Sequence, residues 1–457
     1  MQYAVAVWGA SQNGPSIALR DLISWHNPRS VKRQKESSGC EVPFMKRFCQ
    51  GCESFVKSHL FCETFPIFVA LKRDIEKMEK EKTQIQSPKA LAWQRFRKNK
   101  LGMAASFFII VFALLAIFAY CFIPDPTPNA NRQLLELSTQ KPGFEVDMLL
   151  VPKEIPNPKQ SFFKTLLQGK PDDYIFIPYD SLKISATQTE VFLFNPEKSG
   201  TIRTETYSNQ EITKKNFSSQ ADAENYILRN CTKHQKFLLG TDQFGRDFLS
   251  RLVLGSRISL TVGFIAVFLS LLIGITVGSL GGFFRGKVDD VVVWFINVVW
   301  SIPTLLLVIA ITFALGKGIA QVFIAVGLTM WVEVARIVRG QILSIRETTF
   351  VEAGKALGFK NIRIIFKHIL PNIINPIIVV SAANFASAIL LEAGLSFLGI
   401  GVQPPMPSWG SMIKENYAFI ILDAAYLAIL PGIAIMLLVL AFMLVGNALR
   451  DALDVKN

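Results

Sequence analysis

The chain has 457 residues, 51% of them hydrophobic and only 18% charged, with a mean hydropathy of +0.35. A soluble domain carries nearer a quarter charged residues, so this composition points to a chain solvated partly by lipid and sets the membrane class first. The excess of 48 Lys and Arg over 35 Asp and Glu is lopsided: the first hundred residues hold 18 basic and 9 acidic side chains, whereas 124–240 hold 14 of each. Basic residues near spans stay on the cytoplasmic side, so the charge is expected from topology and does not call for nucleic acid.

Residues 1–86 form an N-terminal extension without repeat or sustained periodicity, charge-rich and helical in propensity over 71–82. Its start lacks the basic n-region of a signal peptide. It is expected to be dispensable, with an internal start at Met78 as one way of losing it. Four of the six cysteines (Cys40, Cys49, Cys52, Cys62) lie here. Cys49 and Cys52 make a CxxC pair, but the other spacings complete neither a zinc site nor a disulfide framework.

The next unit, 87–123, opens with SPKALAWQRFRKNK, where Trp93 and Phe96 stand among basic residues as in a helix lying on an anionic membrane surface. Positions 101–123 then run without a charge, long enough to cross a bilayer. Residues 124–240 are charge-balanced, with strand-like alternation at 173–179 and 187–194, and read as a β-rich extracytoplasmic insertion. The core, 241–457, adds apolar segments at 258–284, 291–315, 318–331, 374–400 and 418–449. Six spans place both termini in the cytoplasm. The loop 336–372 then falls inside, and it carries Arg336, Arg339, Arg346, Lys355, Lys360, Arg363 and Lys367 against Glu347 and Glu352.

That inner loop holds EAGKALGFKNIRIIFKHILPN, 352–372. Glu352, Ala353 and Gly354 are followed four residues on by Gly358, and then by His368, Leu370 and Pro371. The residues alone suggest a short helix of small side chains that another surface can approach, a glycine relieving the turn that ends it, and a proline opening the next span. The spacing resembles the EAA loop of ABC importer permeases, with Gly354 at the third small position and His368 where isoleucine is usual.

Two more stretches agree. LGTDQFGRDFLSRLVLGSRISL carries Gly240, Asp242, Gly245, Arg246 and Asp247; GLSFLGIGVQPPMPSWGSM carries Pro404, Pro405, Pro407, Trp409 and Gly410. Both resemble signatures of the C-type permease subunit of dipeptide and oligopeptide importers, a branch that also contains nickel permeases. Read as residues only, the first also fits a capped turn entering a span and the second a rigid outer loop. Glu392 and Asp423, inside or beside apolar segments, are expected near the outer interface in hydrogen-bonding roles.

No GxxxxGK[ST] phosphate cradle occurs, so this chain is not the ATPase. The resemblance implies an all-α polytopic membrane protein with six transmembrane helices of the type I ABC importer permease kind, multi-pass in a bacterial inner membrane. It implies no catalytic residue, metal or cofactor on this chain, with ATP and Mg held by partner ATPases. The implied partners are a second permease, two ABC ATPases and an extracytoplasmic substrate-binding protein, in addition to the lipid bilayer. Peptides are the expected cargo; nickel or another solute on the same scaffold, or a membrane-anchored signalling or assembly protein, are the alternatives.

Overall fold

The computed structural model describes residues 88–155, 157–158, 160–196, 203–316 and 318–454. The expectations for 1–86, including the Cys49–Cys52 pair, lie outside the described residues. The first helix, α1 (Pro88–Lys98), leaves Trp93 55% exposed but turns Phe96 inward onto Ala448 and Ala452 near the C-terminus. Asn99 then interrupts the chain, accepting from the Gly102 N–H at 3.0 Å to cap α2 (Lys100–Ile117), which α3 (Ala119–Phe122) extends. A helix therefore stands where the surface helix was expected, with one of its two aromatics given to packing.

The insertion is an antiparallel sheet crossed by short helices. Its strands are β1 (Phe144–Pro152), β2 (Tyr174–Ile184), β3 (Gln188–Leu193), β4 (Thr204–Ser208) and β5 (Thr232–Phe237), in the spatial order β4-β3-β2-β1-β5. Helices α4 (Phe162–Gln168), α5 (Asn209–Thr213) and α6 (Gln220–Asn230) fall between them, so the domain mixes helix with strand. Alternate residues of the strands share one face, and Leu149, Ile177 and Val191 meet Ile212 and Ile227 of the helices in a single buried cluster. Cys231 is buried in that cluster as a free thiol, and Cys121 is exposed.

The remaining helices of eight or more residues are α7 (Phe248–Phe284), α8 (Gly286–Trp300), α9 (Thr304–Leu315), α10 (Ile319–Ile345), α11 (Thr349–Ala356), α12 (Ile374–Phe397), α13 (Trp409–Asn416) and α14 (Tyr426–Leu453). Among the described residues five helices are long and apolar enough to span a bilayer: α2, α7, α10, α12 and α14. A sixth span exists if α8 and α9, bent by 90° at their break, count as one.

Several boundaries differ from those read by hydropathy, and each difference has a local cause. Helix α7 starts ten residues before position 258 because the Asp247 carboxylate caps it, accepting from the Ser250 N–H at 2.8 Å. Its 37 residues make it ~55 Å long, well over the ~30 Å of hydrocarbon. The segment 291–315 is broken at Pro303, which has no N–H to continue a helix. Helix α10 runs on to Ile345 rather than stopping at 331, since charged residues end an apolar window without ending the helix. The last span begins at Tyr426, with 417–420 a separate 3-10 turn.

The centre of the bundle is the contact of α7 with α10. A Cβ at Gly274 would lie 2.5 Å from that of Val334, and one at Gly278 would lie 2.5 Å from the Ala335 carbonyl oxygen. Small residues one turn apart thus let the two backbones approach, the usual device where lipid supplies no hydrophobic drive between helices.

Candidate functional site

The inner segment is built on a well-defined helix ending. In α11 the Gly358 N–H donates to the Lys355 carbonyl at 2.9 Å and the Phe359 N–H to the Gly354 carbonyl at 3.1 Å. This paired 5→2 and 6→1 closure needs a left-handed residue between them, and Gly358 supplies it with φ +76°. The helix is pinned from one side. Val351, Ile364, Ile365 and Ile369 are buried in one cluster with Val338 and Ile342 of α10 and Phe283 of α7. The Arg346 guanidinium donates to the Phe283 carbonyl, and Arg285 pairs with Glu347.

The other side faces outward. Leu357 is 72% exposed, Ile362 71% and Phe366 66%, and Glu352, Ala353, Lys355, Ala356 and Gly358 are exposed around them. Gly354 lies on the inner side: a Cβ there would make ordinary contacts at 3.6 Å with Phe359 and 3.9 Å with Ile364. His368 is half-buried and stacks on Phe359 with ring centroids 5.8 Å apart. Leu370 and Pro371 form a 3-10 turn before α12.

The residues 240–247 assemble differently. Asp242, buried, accepts from the backbone N–H of Phe244 and Arg246 and from the Arg246 Nε at 2.6 Å. The Arg246 guanidinium also donates to Glu415 of α13 at 2.6 Å, and Arg251 lies 3.5 Å from both carboxylates. Burial pushes the Asp247 carboxyl up, and its hydrogen bonds to Ser250 oppose that. Gly240 and Gly245 both have positive φ, and a Cβ at Gly245 would sit 1.7 Å from the Leu134 carbonyl oxygen.

The proline-rich loop joins the same knot. Pro404 and Pro405 are exposed, Pro407 is buried, and the Trp409 indole donates to the Leu252 carbonyl at 2.9 Å. A Cβ at Gly410 would lie 2.3 Å from the Ala393 carbonyl oxygen. Glu392 is completely buried beside it, accepting from Ser396 at 2.7 Å and Ser259 at 3.4 Å. Asp423 is exposed. Apart from the exposed Pro404 and Pro405, the signature residues and Glu392 thus close a joint between α7, α12, α13 and the start of the insertion.

Two features were not legible in the sequence. Glu415 reads there as an ordinary loop acid, 169 residues from the arginine it pairs with. Glu333 looks like the polar end of a short span, yet it lies in the middle of α10, exposed. It lines a cavity of about 300 Å³ at the break between α8 and α9, with Trp300, Thr304, Thr329 and Ser387. A shift of window to include 332–345 would have kept it inside the helix.

Residues 270–456 match the family described as binding-protein-dependent transport system inner membrane component, and 87–142 match the N-terminal transmembrane domain of oligopeptide transport permease C. The dipeptide transport system permease protein DppC of Alkalihalophilus pseudofirmus is 44% identical over 217 residues, 48% of this chain and 71% of its own length. The glutathione transport system permease protein GsiD of Pectobacterium atrosepticum is 40% identical over 238 residues, 51% of this chain and 79% of its own. A solved structure of the MetNI methionine ABC transporter in inward-facing conformations aligns with TM-score 0.38 and 20% identity, over 45% of this chain and 97% of that one. On the family matches and the identity over most of the length of these permeases, this chain belongs to the binding-protein-dependent inner-membrane transport components as a C-type ABC permease subunit, a transport subunit and not an enzyme.

Proposed function

We propose that this permease carries di- or oligopeptides inward, forming half of a path completed by a second permease. Two ATPases drive it through the segment 352–372, and an extracytoplasmic binding protein delivers the cargo. The single observation that carries the coupling role is the face of Leu357, Ile362 and Phe366, each at least 66% exposed on a segment whose other side is packed on three spans. Apolar side chains held out rigidly in water mark a protein contact, and movement of such a peg tilts the helices it is packed on.

Sidedness follows from charge. The segment bearing Arg336 to Lys367, the end of α10 and the turns after it, belongs on the cytoplasmic side with both termini, which leaves the insertion outside. Glu333, one turn before Arg336 on α10 and lining the cavity at the break between α8 and α9, in turn belongs to the cytoplasmic half of the path, because a charge within the span is costly against lipid. The peptide cargo is supported by the two relatives, whose names specify a dipeptide and glutathione.

The test is reconstitution of the chain with its partner subunits in proteoliposomes, with uptake of labelled trialanine as readout. ATP-dependent accumulation supports peptide transport; accumulation of nickel but not trialanine would replace the cargo. Cysteine labelling settles the orientation separately. Tyr207→Cys should react with an impermeant reagent from outside and Lys360→Cys only after permeabilisation, and reaction of both from one side would overturn the six-span arrangement.

A further inference from the structure

Helix α4 is a seven-residue element of the insertion with an unusual apolar face. Phe162 is 72% exposed, Phe163 73% and Leu167 63%. Together with Leu166 they occupy one arc of the helix, since i and i+4 fall on the same side, while Lys164 and Gln168 occupy the opposite one. Inside a sheet domain such a face would normally turn to the core, yet the domain core is closed by α5 and α6 and does not use it.

One side chain ties α4 to the bundle. The Arg257 guanidinium donates to the carbonyls of Leu166 and Leu167 at 3.0 and 2.8 Å, and also to those of Ala116 and Ile117 at 2.9 and 2.8 Å. It therefore ties the end of α4 to the end of the first span. The chain leaving α4 is held as well, with the Lys170 N–H donating to the Pro126 carbonyl at 2.8 Å. At this end of the span Ile117, Phe118 and Phe122 are themselves 52%, 41% and 68% exposed.

We propose that α4 is a membrane-interface anchor: Phe162, Phe163 and Leu167 enter the lipid interface beside the end of the first span, and hold the inserted domain against the bilayer surface. The occupant is lipid because the face continues the apolar surface of a spanning helix. Aromatic rings prefer this depth, and a lysine on the opposite arc reaches the headgroups. The inference does not depend on which side of the membrane the insertion occupies, because Arg257 fixes α4 to the span itself. It adds a lipid contact to a domain also joined to the bundle at its chain ends, through the 240–247 joint and by the Tyr426 hydroxyl, which donates to the Gln140 carbonyl at 2.8 Å.

The experiment uses the full chain assembled with its partner subunits in liposomes of phosphatidylethanolamine and phosphatidylglycerol. A nitroxide is placed at Phe163→Cys, with Leu167→Cys as second reporter and Glu205→Cys as a water-exposed reference, all with the six native cysteines replaced by serine. Power-saturation EPR should give a several-fold higher ratio of oxygen to nickel-chelate collisions at 163 and 167 than at 205. A ratio equal to that at 205 overturns the anchor, and so does protection from both reagents, which would place a protein partner there. A benzoylphenylalanine at position 163 of the chain with native cysteines gives an independent readout: phospholipid adducts support the proposal and protein adducts overturn it.

Discussion

The two glycine-bearing turns of this permease both carry family signatures and differ in their surroundings. In 240–247 the turn is buried: Gly245 leaves no room for a Cβ against the Leu134 carbonyl, and Asp242, Arg246 and Glu415 pair with each other away from water. In 352–358 the turn is exposed: a Cβ at Gly358 would meet nothing within 4 Å, and its neighbour Leu357 stands out from the chain. A signature can thus be satisfied by packing within the chain or left standing on its surface, and it is the second kind that we propose serves another protein. What separates them is whether the motif's side chains find their partners inside the molecule.

The largest effect should come from the buried turn. Gly245→Val puts a branched side chain into a backbone oxygen at a left-handed φ, and a cost above ~4 kcal/mol is expected for such a backbone clash. Size-exclusion profiles in detergent should show little folded, monodisperse protein. Arg246→Met leaves Asp242 and Glu415 with Arg251 as their remaining cation, 3.5 Å from each. Breaking a buried pair in this way costs about 3 to 5 kcal/mol, read as a markedly lower unfolding midpoint. Preserved midpoints in both variants would remove the distinction between the two turns.

Smaller effects belong to the exposed turn. Leu357→Ser should change the permease's own stability by no more than ~0.5 kcal/mol, the usual range for an exposed site, while weakening co-purification of the ATPase. Loss of stability instead would show that Leu357 packs within the chain. The smallest effect is expected of Gly354→Ala. Its contacts would be ordinary and alanine favours a helix over glycine by up to ~1 kcal/mol, so unfolding midpoint and uptake should match or slightly exceed the wild type.

The order of spans, the strands near 173–179 and 187–194, and the turn at Gly358 were all legible, because each rests on local periodicity or on one residue's backbone freedom. The break at Pro303 and the early start of α7 at Asp247 also have local causes, but apolar windows pass over them. The partners of Arg246 and the nail between α4 and the first span were not legible, since Glu415 and Arg257 act across distances in sequence that only the folded chain closes. Phe96 was assigned to the membrane surface from its basic neighbours, and packing against Ala448 and Ala452 prevails.

The central claim, that the exposed turn transmits ATPase movement to the spans, is tested most directly at Gly358. Gly358→Asp forces a side chain into a φ of +76°, at about 1 to 3 kcal/mol of local backbone strain, and adds a charge to the exposed apolar face of Leu357, Ile362 and Phe366. In proteoliposomes containing all partner subunits, the variant should insert as the wild type does while trialanine uptake and binding-protein-stimulated ATP hydrolysis fall together. Uptake and stimulated hydrolysis at wild-type levels in the inserted variant would contradict it.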